Sequence, residues 1–174
     1  LFRSLSMTAT PIPRTLNMAM MGIKEISVIA TPPPDRLSVR TFVCRDSDQV
    51  ITEAIQNELL REGQVFFVHN RIESLYELEK RLLTLFPKMK IAVVHGQMDA
   101  DELEKKMLGF YQGNFQILLT TAIIESGLDI PNANTMIIQN ADNFGLAELY
   151  QLRGRVGRSN TQAFCYLVIP PPHT

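Results

Sequence analysis

The sequence predicts an α/β fold: a mainly parallel sheet with helices on both faces. Three observations predict it. Short apolar runs of strand length recur along the chain, bounded by polar or turn-forming residues. Between them lie longer stretches whose apolar side chains return at helical spacing. The 174 residues, 45% hydrophobic and 20% charged, can close one full core and are ordinary for a globular chain.

The elements follow in order. Residues 1–30 form a leading segment. TPPPDR at 31–36 is the clearest punctuation, because successive prolines force an extended path poor in hydrogen bonds. It reads as a linker to a domain spanning 37–174. SVRTFVC at 38–44 alternates as a strand does. Residues 48–61 place Val50, Ile51, Ala54, Ile55 and Leu59 at helical spacing, and Gly63 ends that helix. QVFFVH at 64–69 is a compact apolar strand. Residues 71–86 put Ile72, Leu75, Leu78, Leu82 and Phe86 on one helical face, stopped by Pro87. IAVVH at 91–95 is another buried strand. Asp99 with Glu102 is expected to form a capping box opening a helix through Leu103, Met107 and Phe110. QILLTT at 116–121, TMIIQN at 135–140 and AFCYLVI at 163–169 supply the remaining strands. Such alternation gives a parallel sheet covered on both faces.

Composition narrows the function. No apolar run is long enough to span a bilayer, and no membrane partner is expected. The N-terminus shows no signal-cleavage pattern, and without an initiator Met the chain is expected to be a piece of a longer one. Cys44 and Cys165 sit in apolar strands and read as small buried hydrophobes, which suits a cytoplasmic setting. No cluster has metal-ligand spacing, and no Ser-His-Asp or Cys-His arrangement is evident. A net charge of −1 confines any nucleic-acid contact to a local patch.

Ligands of open parallel sheets bind beyond the carboxyl ends of the strands. The unusual residues cluster there: Asn70 and Arg71 after 64–69, Gly96 and Gln97 after 91–95, Gly127 and Asp129 after 116–121, and Asp142 after 135–140, followed by a helix leading to an arginine-rich octet. Each has a plainer reading beside the functional one. His95 can be a satisfied histidine at the edge of a core. Asp129, ahead of Ile130-Pro131, can be turn chemistry. Thr120 and Thr121 can be ordinary β-branched strand residues.

QLRGRVGR at 151–158 is harder to read as surface. Arg153, Arg155 and Arg158 alternate with Gly154 and Gly157, and no acid interrupts them. The plain reading is a basic helix start on a polar face. The functional one joins glycine's close backbone approach to arginine's planar fork, which suits phosphate oxygens. Yet the sequence has no GxxxxGK followed by Ser or Thr and no acidic magnesium-binding strand. Phosphate-seeking arginines without a phosphate cradle suggest half of a composite site, acting across a cleft on a transferring phosphoryl group.

Three of these stretches resemble motifs of superfamily 2 helicases and translocases: TATPIPRT (8–15) motif III, ILLTTAIIESGLDIP (117–131) motif V, and QLRGRVGR motif VI. The resemblance runs along the whole chain. TATPIPRTL and QLRGRVGR place it in the RecG-like branch. There NMAMMGIKEISVIATPP (17–33) and HGQM (95–98) resemble the translocases that couple transcription to repair rather than RecG-type branch-migration helicases.

This resemblance implies a RecA-like helicase C-terminal lobe at 37–174, preceded at 1–30 by the tail of the first lobe. It implies a double-stranded DNA translocase that displaces stalled RNA polymerase and recruits excision-repair proteins. ATP and Mg2+ would be held mainly by the first lobe, so the chain alone would be inactive. Arg155 and Arg158 match the arginine fingers directed at the γ-phosphate. Gln151 matches a nucleotide-positioning residue, as do Gly127 and Asp129 at the ribose. Asn70, Arg71, His95, Gly96 and Thr120 or Thr121 lie where the family grips DNA. Arg153 is assigned to DNA or interlobe contact, and Thr8, Thr10 and Arg14 to interlobe coupling. The apolar residues of 1–30, deprived of a first lobe, are expected to drive self-association. The alternatives are a RecG-type helicase lobe, an autonomous nucleic-acid-binding module, and a structural domain whose motifs are relics.

Overall fold

Among the described residues six strands lie in the order β1 (Arg40–Arg45), β6 (Phe164–Ile169), β5 (Ala133–Gln139), β2 (Gln64–His69), β4 (Ile117–Thr121) and β3 (Ile91–Val94). Every neighbouring pair is parallel. The structure is a computed structural model and describes residues 39–121, 130, 132–157 and 160–171. The predicted leading segment and linker lie outside those residues. Four helices connect the strands: α1 (Asp48–Leu60), α2 (Ile72–Leu85), α3 (Ala100–Tyr111) and α4 (Leu146–Arg153), the last preceded by a 3-10 turn, Ala141–Asn143.

The period-two geometry of strands divides the core between the two faces of the sheet. Val65 and Phe67 of β2, Ile117 and Leu119 of β4 and Ile137 of β5 pack with Ile51 and Ile55 of α1 and Leu75 and Leu82 of α2. The alternate residues point the other way. Met136 and Ile138 pack beneath Leu152 of α4, and Leu118 and Ala92 beneath Met107 and Phe110 of α3. The near-continuous apolar runs are therefore strands buried on both sides. Among the described residues no helix is long and apolar enough to cross a membrane.

The predicted elements are all present, their ends displaced by a residue or two. Ser47 starts α1 by accepting the Val50 N–H at 3.2 Å. The helix stops where Glu62 turns to φ 59°, and a Cβ on Gly63 would collide with the buried Glu58 carboxylate.

One expectation fails. Asp99 occupies the N-cap of α3 but makes no side-chain cap hydrogen bond. Glu102 leans forward to Lys106 at 3.4 Å, an (i, i+4) pair, instead of back to the cap. The edge strand β1 is exposed along most of its length, with Val43 68% exposed, so the two-faced cover does not reach it among the described residues. The cysteines read as expected: both are free, Cys165 is fully buried, and burial pushes its thiol up to about 11. Cys44 is only partly buried.

Candidate functional site at the strand ends

The strand order sets the place of the site. The connection leaving β2 runs to β3 on one side of the sheet, whereas the connection leaving β5 runs to β6 on the other. Neighbouring strands whose connections depart in opposite directions leave a crevice beyond their carboxyl ends. An open cavity of about 450 Å3 lies at this edge, lined by Asn70, Ile72, Gly96, Thr121, Asn143, Phe144 and Glu148. Loops after β2, β3 and β5 and the end of β4 thus meet around one space, as the clustering of polar residues predicted.

Several assigned residues border it directly. Asn70 follows β2, and its Oδ1 is buried without a hydrogen-bond partner. Gly96 is exposed, and a Cβ there would meet nothing within 4 Å. Packing therefore does not demand glycine at 96, and a side chain there would extend into open space. Of the two threonines, Thr121 lines the cavity, while Thr120 is buried and donates its hydroxyl to the Thr121 carbonyl at 2.8 Å.

His95 is buried but only half satisfied. Its Nε2 lies 3.2 Å from the Tyr76 hydroxyl and its Nδ1 has no partner. Arg71 is the N-cap of α2 and exposed.

The arginine-rich octet lies across the end of α4 rather than at a helix start. Gln151, Leu152 and Arg153 form its last turn, and Gly154 follows as the C-cap. Leu152 alone of these is buried, which anchors the turn. Gly157 has φ 80°, and a Cβ there would lie 2.9 Å from Val39 Cγ2, so a side chain would be both strained and crowded. The bend leaves Arg155 exposed, with no partner for its guanidinium among the described residues. Gln151 is exposed beside it. Arg153 instead points its guanidinium toward the Val39 carbonyl, at 3.4 Å. Arg158, Gly127, Asp129, Thr8, Thr10 and Arg14 lie outside the described residues.

Two residues at this edge escaped the sequence reading. His69 ends β2 and is 6% exposed. Its Nδ1 accepts the Arg71 N–H at 3.1 Å, and its Nε2 lies 3.3 Å from the Asn140 amide. Asn140 stands in the left-handed region at φ 51°, which asparagine tolerates better than most residues. In the sequence His69 is only the last letter of an apolar run, and no local spacing links it to Asn140.

Residues 48–160 match the Helicase conserved C-terminal domain. Over 95% of its length the chain is 58% identical to the transcription-repair-coupling factor of Myxococcus xanthus. Over 97% it is 54% identical to that of Haemophilus influenzae. It spans only 14% and 15% of those two proteins. Among solved structures, RecG bound to a three-way DNA junction is similar at 40% identity and a TM-score of 0.73, covering 95% of this chain and 22% of that one.

Proposed function

The chain belongs to the helicase conserved C-terminal domain family, and from that premise we propose that it is the second motor lobe of an ATP-dependent double-stranded DNA translocase. The observation that carries the reading is the sharing of α4 by two surfaces. Glu148, near its start, lines the cavity with Asn70, Gly96 and Thr121, and Arg155, with no ion pair among the described residues, lies just past its end. One short rigid element thus joins a place for the DNA backbone to a group suited to a γ-phosphate. ATP and Mg2+ would be held by a partner lobe, and when bound they supply the transferring phosphoryl group and the charge that neutralises it. Arg155, with Arg158, would meet the charge that grows on that group; Gln151, Gly127 and Asp129 would orient the nucleotide.

Identity of 58% and 54% to transcription-repair-coupling factors, against 40% to RecG, favours a translocase that displaces stalled RNA polymerase and engages excision-repair proteins. Those partners would be met by the parent protein. A cytoplasmic setting follows from that role.

Two measurements on the 174-residue chain test this. Duplex binding followed by fluorescence anisotropy is expected to be weak, steeply salt-dependent and indifferent to sequence, because phosphate contacts carry no sequence information. ATP hydrolysis is expected to be absent from the chain alone and to become DNA-stimulated once a lobe with a phosphate loop is joined to it. A tight, sequence-selective complex, or turnover by the chain alone, would sink the half-motor reading.

Gly96 offers a sharper check. Since its Cβ direction is open, Gly96→Asp is expected to leave thermal stability nearly unchanged. A carboxylate facing the phosphates should weaken duplex binding by at least about tenfold. Unaltered binding would remove Gly96 from the DNA surface.

A further inference from the structure

We propose that His69 is a positioning residue that ties the loop carrying Asn70 and Arg71 to the loop leading into α4, so that DNA contact at the first is felt at Arg155. The inference rests on the motor reading given above. Its physical content is a contact with two ends. The imidazole sits at the floor of the crevice between β2 and β5, where the connections diverge. One nitrogen holds the backbone of the β2 loop, and the other meets the first residue beyond β5. From Asn140 the chain passes directly through the 3-10 turn into α4, with the Asn143 N–H bonded to the Asn140 carbonyl at 2.9 Å.

The hydrogen bonds fix the form of the ring. Nδ1 accepts from a backbone N–H and so carries no proton. The neutral ring then holds its proton on Nε2; the Asn140 side-chain Oδ1 accepts it once that amide, whose Nδ2 stands 3.3 Å from Nε2, is flipped end for end. An imidazolium would set two N–H groups against each other at Arg71 and break the tie. Burial first, and then the Arg71 charge, hold the His69 pKa below its ordinary value against an opposing pull from Glu77 of α2. The tie is therefore whole above the ordinary histidine pKa of about 6.5 and is lost as pH falls through the lower folded value. Any stability it contributes has the same sign.

Three readouts test the proposal. The sequence has 3 histidines, so long-range 1H–15N spectra of the labelled chain, with His69→Asn for assignment, can report the tautomer directly. At pH 7 His69 should show a bare Nδ1 and a protonated Nε2; the opposite tautomer overturns the proposal.

In the parent translocase, His69→Asn keeps an acceptor for the Arg71 N–H but loses the reach to Asn140. Asn140→Gly removes the other end while tolerating the left-handed backbone. Each variant should lower the DNA-stimulated kcat about tenfold, the factor carried by one ordinary hydrogen bond, with half-saturating DNA nearly unchanged. The double variant should fall no further than either single one. Effects that multiply, or a loss of DNA affinity at constant kcat, overturn the coupling.

The third readout is the pH profile of the unaltered parent, which needs no variant to fold. Its stimulated rate should decline on the acid side as His69 titrates, and a profile unchanged in His69→Asn overturns the coupling. A parent with no DNA-stimulated hydrolysis overturns the motor reading instead, while the tautomer result still stands.

Discussion

Arg155→Ala in a translocase containing both lobes is expected to lower kcat for ATP by about 10³-fold, the scale at which arginine fingers act. The loss should fall on kcat, with little change in ATP affinity, because the phosphate cradle would lie on the other lobe. Arg155→Lys should recover only part of the rate, since a point ammonium cannot reproduce the planar fork. The structure separates this effect from misfolding. Arg155 is exposed and makes no ion pair among the described residues, so its removal breaks no salt bridge among them and takes nothing from the core. Single-turnover hydrolysis beside a thermal melt is the measurement. A parental rate in the alanine variant would show that the fingers are misassigned. Arg158 carries the same expectation from its place in the sequence.

The largest stability effect is expected at Phe67→Ala. Phe67 is 0% exposed at the middle of β2, between Leu119 of β4 and Ile137 of β5. The truncation loses the transfer energy of the ring and leaves a hole that a six-stranded sheet cannot close, about 4 kcal/mol in all. For a chain of this length that lowers the melting midpoint by roughly 10 °C. Phe42→Ala on β1 is the natural contrast, because that ring is 44% exposed and rests mainly on Phe164 and Tyr166. Calorimetry that finds the two equal would mean that β2 is not the centre of the core.

The element order was legible in the sequence because each element advertises its own period. Leu75, Leu78 and Leu82 recur as a helix requires, and the run Val65–Val68 has the apolar density of a strand covered twice. What stayed hidden depends on neighbours distant in sequence. The capping box at Asp99 failed because Lys106, one turn further on, competes for Glu102. The choice between Thr120 and Thr121 could not be made until the end of β4 was set against β2 and β3. His69 and Asn140 are 71 positions apart, and only strand order brings them together. The nucleotide-facing reading of QLRGRVGR was available from residue type and resemblance, and so was a helix leading to it; that Gln151, Leu152 and Arg153 are the last turn of that helix was not.

The order of the strands also bears on how the protein comes into being. Among the described strands β1 comes first and pairs only with β6, which comes last; Arg40 stands opposite Phe164, 124 positions later. On the ribosome β1 therefore waits for this partner while the other described strands emerge, and its pairing joins the two strands most distant in sequence. Long loop closures of this kind slow folding. The effect of truncation is correspondingly uneven: removing only the last strand takes the partner of β1 and one partner of β5 together, so a small loss at the C-terminal end of the sheet opens two strands at once.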